Sequence, residues 1–314
     1  MARPGTSPSR SYDRAISDNL ETIRLPGGRT LACAQWGDPA GTPVFVLHGT
    51  PGCRLNRHPD NDKIAATGAR VVTYDRPGYG GSDRHRGRSV NDCVADVAAL
   101  ADTLGFDRFA VTGGSGGGPH CLAVAARLPD RVTRAVCVVG VAPYDLLGDA
   151  WLDGMDPENL KEFQWALEGE DRLETELTRE SAAMLARIAD DPATVLGDFD
   201  LPEEDRAIFA RPDIAKVMTE ALTECVRTGI WGWADDDIAF TKPWGFDPAT
   251  ITVPTAVWWG SKDVLVPPAH GEWIARTVPD AIPRVDAGGG HLGDPDTQVE
   301  ELYGWLIHGT LWSD

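Results

Sequence analysis

The sequence predicts an α/β fold: a mostly parallel central sheet of about eight strands, interrupted once by a long helical insertion. Three observations predict it. Short apolar runs alternate with amphipathic helical stretches from about residue 20 to 140, and again from about 255 to 308. Between Asp145 and Trp244 that alternation stops, and no stretch reads as a strand. The segment Val111-Thr112-Gly113-Gly114-Ser115-Gly116-Gly117-Gly118-Pro119 reads as a strand that turns abruptly into a helix, with a serine at the apex.

The elements follow in order. Glu21–Leu25 is a strand, Pro26-Gly27-Gly28 a turn, and Arg29–Gln35 the partner strand of a hairpin. Pro43–Leu47 and Arg70–Tyr74 are continuous apolar runs, as expected of strands buried on both faces. Val90–Leu104 places Val94, Val97, Leu100 and Leu104 at helical spacing. Asp107–Val111 is a buried strand, His120–Leu128 a helix that stops at Pro129, and Val132–Gly140 a further strand. The insertion holds helical stretches at Leu160–Leu167, Leu173–Ile188 and Ile214–Arg227, broken by Pro192, Pro202 and Pro212. Thr255–Trp259 resumes the sheet, followed by a helix over Pro268–Thr277, a strand around Ile282–Val285 and a last helix over Thr297–His308. Residues 1–18 are rich in Ser, Arg and Pro and lack an apolar core, so they read as a disordered leader and not as a secretory signal. The expected division is a core of residues 19–144 and 246–314 around an insertion of 145–245.

A chain of 314 residues accommodates one such domain with its insertion. No apolar run reaches the length of a membrane span. Cys33, Cys53, Cys93, Cys121, Cys137 and Cys225 form no C-x-x-C pair. They read as reduced, buried thiols of a cytoplasmic protein, not as a disulfide framework or a zinc site. The net charge is −19, and residues 145–245 carry 25 acidic and 9 basic side chains, leaving 23 and 20 for the rest. That balance argues against a nucleic-acid partner. It reads either as a solvated helical face or as a field that attracts cationic substrates. The expected partner is a small molecule, with no membrane contact, and the chain is read as a monomer or homodimer.

Chemistry concentrates at the predicted C-terminal ends of strands, where open α/β sheets build their sites. In Gly113-Gly114-Ser115-Gly116-Gly117, the turn lifts the Ser115 hydroxyl and aims the Gly116 N–H at the same point, where a helix also begins. A serine nucleophile needs a base, an orienting acid and an oxyanion site. His291, in Asp286-Ala287-Gly288-Gly289-Gly290-His291, is the candidate base, and His48 is its main competitor. Asp263, just past the Thr255–Trp259 strand, is the candidate acid, with Asp145 as the alternative. His48-Gly49-Thr50-Pro51-Gly52 resembles an oxyanion loop in which the Thr50 N–H pairs with that of Gly116. Asp75-Arg76-Pro77-Gly78-Tyr79-Gly80-Gly81-Ser82 reads as scaffolding near the pocket. Trp231, Trp233 and Trp244 are candidate pocket residues that would suit an apolar or aromatic group.

The chain order Ser115, Asp263, His291, with the strand-turn-helix serine, resembles a lid-bearing α/β-hydrolase over roughly residues 20 to 310. The resemblance implies helices on both faces of the sheet and makes residues 145–245 the helical lid over the pocket. It implies hydrolysis of a carboxylic ester, lactone or thioester through an acyl-enzyme, with no metal or organic cofactor. Ser115 disfavours the relatives that carry Asp there, the haloalkane dehalogenases and epoxide hydrolases. Perhydrolase-like and carbon–carbon bond hydrolases keep a serine and stay open. Two further readings stand beside the esterase. One is an aminopeptidase similar to proline iminopeptidases, whose acidic lid binds a free amine, although Gly116 departs from the bulkier residue usual there. The other is a ligand receptor or binding protein on a hydrolase scaffold.

Overall fold

The computed structural model describes residues 20–194 and 199–312; the expected leader lies outside them. The chain begins with the hairpin β1 (Leu20–Arg24) and β2 (Thr30–Gly37). Its turn is closed by the Gly28 N–H on Leu25 O at 2.9 Å, with Gly28 at φ 87°, a conformation glycine adopts without strain. β3 (Thr42–Leu47) leads through the short α1 (Asn61–Ala66) to β4 (Ala69–Tyr74). Then come α2 (Cys93–Leu104), β5 (Phe109–Gly114), α3 (Gly117–Arg127) and β6 (Val132–Val138). The chain next enters a wholly helical run: α4 (Tyr144–Leu147), α5 (Pro157–Glu168), α6 (Glu170–Asp190), α7 (Glu203–Phe209), α8 (Pro212–Cys225) and α9 (Trp231–Phe240). β7 (Thr255–Gly260), α10 (Pro268–Thr277), β8 (Ile282–Asp286) and α11 (Pro295–Tyr303) complete it.

The eight strands form one sheet in the order β1-β2-β4-β3-β5-β6-β7-β8. β2 pairs antiparallel with β1 and β4, and all other neighbours are parallel. Each central strand splits its side chains between two faces. Phe45 and Leu47 of β3, Phe109 and Val111 of β5, and Val257 and Trp259 of β7 enter one apolar cluster. Val44, Ala110, Ala256 and Trp258 enter the other. Strands buried on both faces need helices on both. Val97 and Leu100 of α2, Leu122 of α3 and Ile274 of α10 cover the first face; Ile64 of α1 with Val299 and Tyr303 of α11 cover the second.

The strand order sets the position of the site. From β3 the chain moves to one side to make β4, then crosses back to make β5 on the other side of β3. The connections therefore diverge above the C-terminal ends of β3 and β5 and open a crevice there. The helical run contains no strand among its described residues, as expected. It builds its own apolar cluster, with Trp165, Leu173, Leu177, Phe209 and Leu222, which also takes in Cys53 and Tyr79 of the core loops. The sequence left α1, α4, α7 and α9 unassigned. Each is short, and the Asp-rich Trp231-Gly232-Trp233-Ala234-Asp235-Asp236-Asp237 carries no helical periodicity because α9 is buried nearly all round. All six cysteines are buried and unpaired. Among the described residues no helix is long and apolar enough to cross a membrane.

Candidate active site

Ser115 sits at the crevice, between the end of β5 and the start of α3, with φ of 54°. That left-handed backbone is costly for a residue with a Cβ and is held by its surroundings. The Ser115 N–H donates to Val138 O at 2.9 Å, and Ser115 O accepts from Gly118 at 2.9 Å. The flanking glycines are required by close packing: a Cβ on Gly113 would lie 2.1 Å from Gly117 O, and one on Gly117 the same distance from Leu47 O.

β7 and β8 deliver the other two groups. The His291 Nδ1–H donates to Asp263 Oδ2 at 2.8 Å. The other Asp263 oxygen accepts the Leu265 and Val266 N–H groups, each at 2.9 Å, so the carboxylate is fixed on both sides. Burial disfavours the charged imidazolium, but the bonded Asp263 carboxylate, helped by Asp205, outweighs it and raises the His291 pKa above its ordinary value. With Nδ1 committed, Nε2 is the nitrogen available for proton transfer.

Three other histidines, His48, His120 and His270, are buried and held below the ordinary histidine range. The His48 Nδ1–H donates to Gly49 O at 2.7 Å, and its Nε2 accepts the Arg76 N–H at 3.1 Å. Burial and the Arg76 charge hold its pKa well below the ordinary range. Burial and the same charge lower His120 to about 3, and burial lowers His270 to about 4. Asp145 lies exposed in α4, while Asp263 is buried and holds His291. The alternative acid is therefore set aside, since the carboxylate bonded to His291 is that of Asp263.

The loop after β3 brings Thr50 against Gly116. Among the described residues neither N–H donates to a protein acceptor, which leaves both able to serve an oxyanion. A buried charge cluster fixes this loop. Arg76 donates to His48 O, to Gly49 O at 3.0 Å and to Thr50 Oγ1 at 3.0 Å. Asp236 of α9 pairs with Arg76 at 2.6 Å and Arg88 at 2.5 Å, and accepts from Thr50 Oγ1 and Tyr79 OH, each at 2.8 Å. Burial alone would push the Asp236 carboxyl up; the two guanidiniums hold it well below the usual carboxylate range. The scaffolding reading of residues 75–82 agrees with this. Asp75 accepts the Arg54 and Gly81 N–H groups, and Ser82 bridges Ala32 N–H and Asp75 O.

Thr50, Ser115 and His291 line one cavity of about 410 Å³, a volume suited to a small molecule. The helical run forms its far wall with apolar side chains, among them Trp165, Met184, Phe209, Met218 and Leu222. Of the three tryptophans expected there, Trp233 lines the cavity. Trp231 does not: it is 38% exposed, under the Arg84 guanidinium at 4.7 Å. Trp244 does not either, being buried in the main core and stacked on Phe246 at 5.6 Å. Trp231 and Trp233 are two positions apart on a helix, so they face different directions. Trp165 was missed because its helical spacing alone reads as core.

The alpha/beta hydrolase fold model matches residues 42–293, and the chain belongs to that family. It is 35% identical over 152 residues to a non-heme chloroperoxidase of Streptomyces lividans, covering 47% of this chain and 54% of that protein. It is 38% identical over 109 residues to a proline iminopeptidase of Xylella fastidiosa, covering 32% of this chain and 33% of that one. The chain thus spans about half and about a third of these relatives. The solved alpha/beta hydrolase fold protein from Nakamurella multipartita matches with a TM-score of 0.67 at 24% identity, covering 93% of this chain and 100% of that one. That likeness concerns the fold.

Proposed function

We propose that this protein is a serine hydrolase that cleaves a carboxylic ester, lactone or thioester of a small substrate with an apolar or aromatic acyl group. One observation carries the reading: Ser115 and the Asp263-held His291 open into the same largely apolar cavity. Ser115 Oγ attacks the carbonyl carbon as His291 Nε2 takes its proton, and the Thr50 and Gly116 N–H groups hold the oxyanion. The tetrahedral adduct collapses, the leaving oxygen or sulfur takes the proton from His291, and the acyl group stays on Ser115. Water then repeats the sequence, with His291 as base again, and frees the acid. The helical run acts as the lid whose side chains size the acyl pocket.

A specific observation keeps the aminopeptidase as a second reading. Glu158, Glu162 and Glu180 of α5 and α6 line the cavity. Glu158 is paired with Lys161 at 2.6 Å. Glu162 accepts the Trp233 indole N–H at 2.8 Å and lies against the buried Asp237. Such carboxylates could hold an ammonium group. Gly116 weighs the other way. A Cβ there would lie 2.3 Å from Thr50 Oγ1 and 3.0 Å from Phe240 Cζ, so Thr50 and Phe240 fill the room a bulkier residue would need.

The test is hydrolysis of p-nitrophenyl esters of graded chain length beside proline and alanine p-nitroanilides, each with wild type and Ser115→Ala. Ester cleavage lost in the variant is the expected result, and more than a few percent of residual activity would contradict it. Anilide cleavage that requires a free amine would favour the second reading. Absence of turnover together with ligand-dependent stabilisation would favour a binding protein.

A further inference from the structure

Asp205 is a fully buried carboxylate with no role in the mechanism above. It stands in the first turn of α7, on the helical run, 86 positions before His291. One oxygen accepts the His291 backbone N–H at 2.8 Å, and the other accepts the Leu292 N–H at 3.0 Å. Among the described residues it makes no ion pair. A buried carboxylate without a cation is costly unless its hydrogen bonds are well placed. Gly290 fits the same contact from the other side: a Cβ there would lie 2.2 Å from Asp205 Oδ2.

We propose that Asp205 is a positioning residue for the reaction: the lid's α7 clamps the backbone of the histidine loop, so that His291 is set for proton transfer only with Asp205 in place. The proposal rests on the hydrolase reading. The loop Gly288-Gly289-Gly290 has three residues with wide conformational freedom. Gly289 is tied on both sides, its N–H to Asp286 O at 3.3 Å and its O to the Lys262 N–H at 2.9 Å, while Asp263 orients the imidazole at Nδ1. Asp205 restrains the two residues that follow the glycines, through the adjacent N–H groups of His291 and Leu292. It also places a second negative charge beside the ring, which favours the imidazolium formed when Ser115 loses its proton. The charged groups acting on His291 are Asp263, from the loop after β7, and Asp205, from α7.

Two variants probe the contact from opposite sides. Asp205→Asn keeps the shape, removes the charge and retains one acceptor. Gly290→Ala drives a methyl group into the carboxylate. Two measurements apply to both. The first is the His291 pKa, followed by NMR through the downfield Nδ1 proton, which needs no substrate. The second is the rate of Ser115 labelling by a fluorophosphonate, together with kcat and KM on the ester found active. In Asp205→Asn the His291 pKa should fall by about half to one unit. In both variants kcat should fall on the order of 10- to 100-fold, with KM changed less than about threefold. The double variant should lose little more than either single one. Folded variants with the wild-type His291 pKa, labelling rate and kcat would overturn the proposal, leaving Asp205 a purely structural group. Wild type that is not labelled at Ser115 would remove the hydrolase reading, and this proposal with it. Should Asp205→Asn fail to fold, Gly290→Ala decides alone.

Discussion

In the proposed reaction His291 must be neutral to accept the Ser115 proton, and Asp263 raises the pH at which that condition is met. The acid limb of kcat/KM should therefore titrate above the ordinary histidine value of 6.5, with activity falling as pH drops through it. A pH–rate profile on an uncharged ester checks this; a limb below 6.5 would contradict the Asp263 pairing. Asp263→Asn should cost on the order of 10⁴-fold in kcat, because the amide supports the wrong imidazole tautomer. Asp145→Asn, at an exposed site in α4, should cost almost nothing. Ser115, His291 and Asp263 were legible in the sequence because each follows a strand in a fixed chain order. Asp205 was not, since Pro202-Glu203-Glu204-Asp205 reads only as a helix start with an acidic first turn.

Single elements carry two carboxylates, the buried Asp236 and the half-buried Glu162, whose stability effects have opposite signs. Asp236 of α9 neutralises Arg76 and Arg88, and Asp236→Asn would leave two buried cations without their counter-ion. That substitution should destabilise the fold by about 3–5 kcal/mol, read by urea denaturation, and should loosen the loop that presents Thr50. Glu162 of α5 behaves in reverse. Burial pushes its carboxyl from 4.5 up to about 7. Its neutral form therefore contributes fully below about 4.5, and the contribution is lost as pH rises through about 7. Glu162→Gln imitates the neutral form. Its stability relative to wild type should rise on the order of 1–3 kcal/mol between about pH 5 and about pH 8. A flat difference across that range would show that Glu162 carries no such penalty. Neither α9 nor its aspartates stood out in the sequence, because an all-round buried helix shows no polar face.

Across the whole molecule the charge is lopsided: residues 145–245 hold 25 acidic and 9 basic side chains, and the same run walls the cavity. A field of that sign draws cations toward the site. For an amine-bearing ester against its neutral isostere, the ratio of kcat/KM values should fall severalfold as ionic strength rises from about 0.01 M to about 0.1 M, where the Debye length shrinks from about 30 to about 10 Å. A ratio that does not change would mark the acidic run as a solvating surface only.

The sequence alone determined the sheet, the break in its rhythm, and the placing of Ser115, Asp263 and His291 just past strand ends. These rest on local periodicity, on turn chemistry and on chain order, all of which are written along the chain. Tertiary structure decided what depends on the meeting of distant segments. It placed Asp263 and not Asp145 on His291, and put Trp233 and Trp165 at the cavity while Trp231 and Trp244 stayed away. It also brought Asp205 and Asp236 from the helical run onto the loops of His291 and Thr50. The physical reason is that a carboxylate's role depends on which N–H groups or guanidiniums it is buried against, and packing alone selects them.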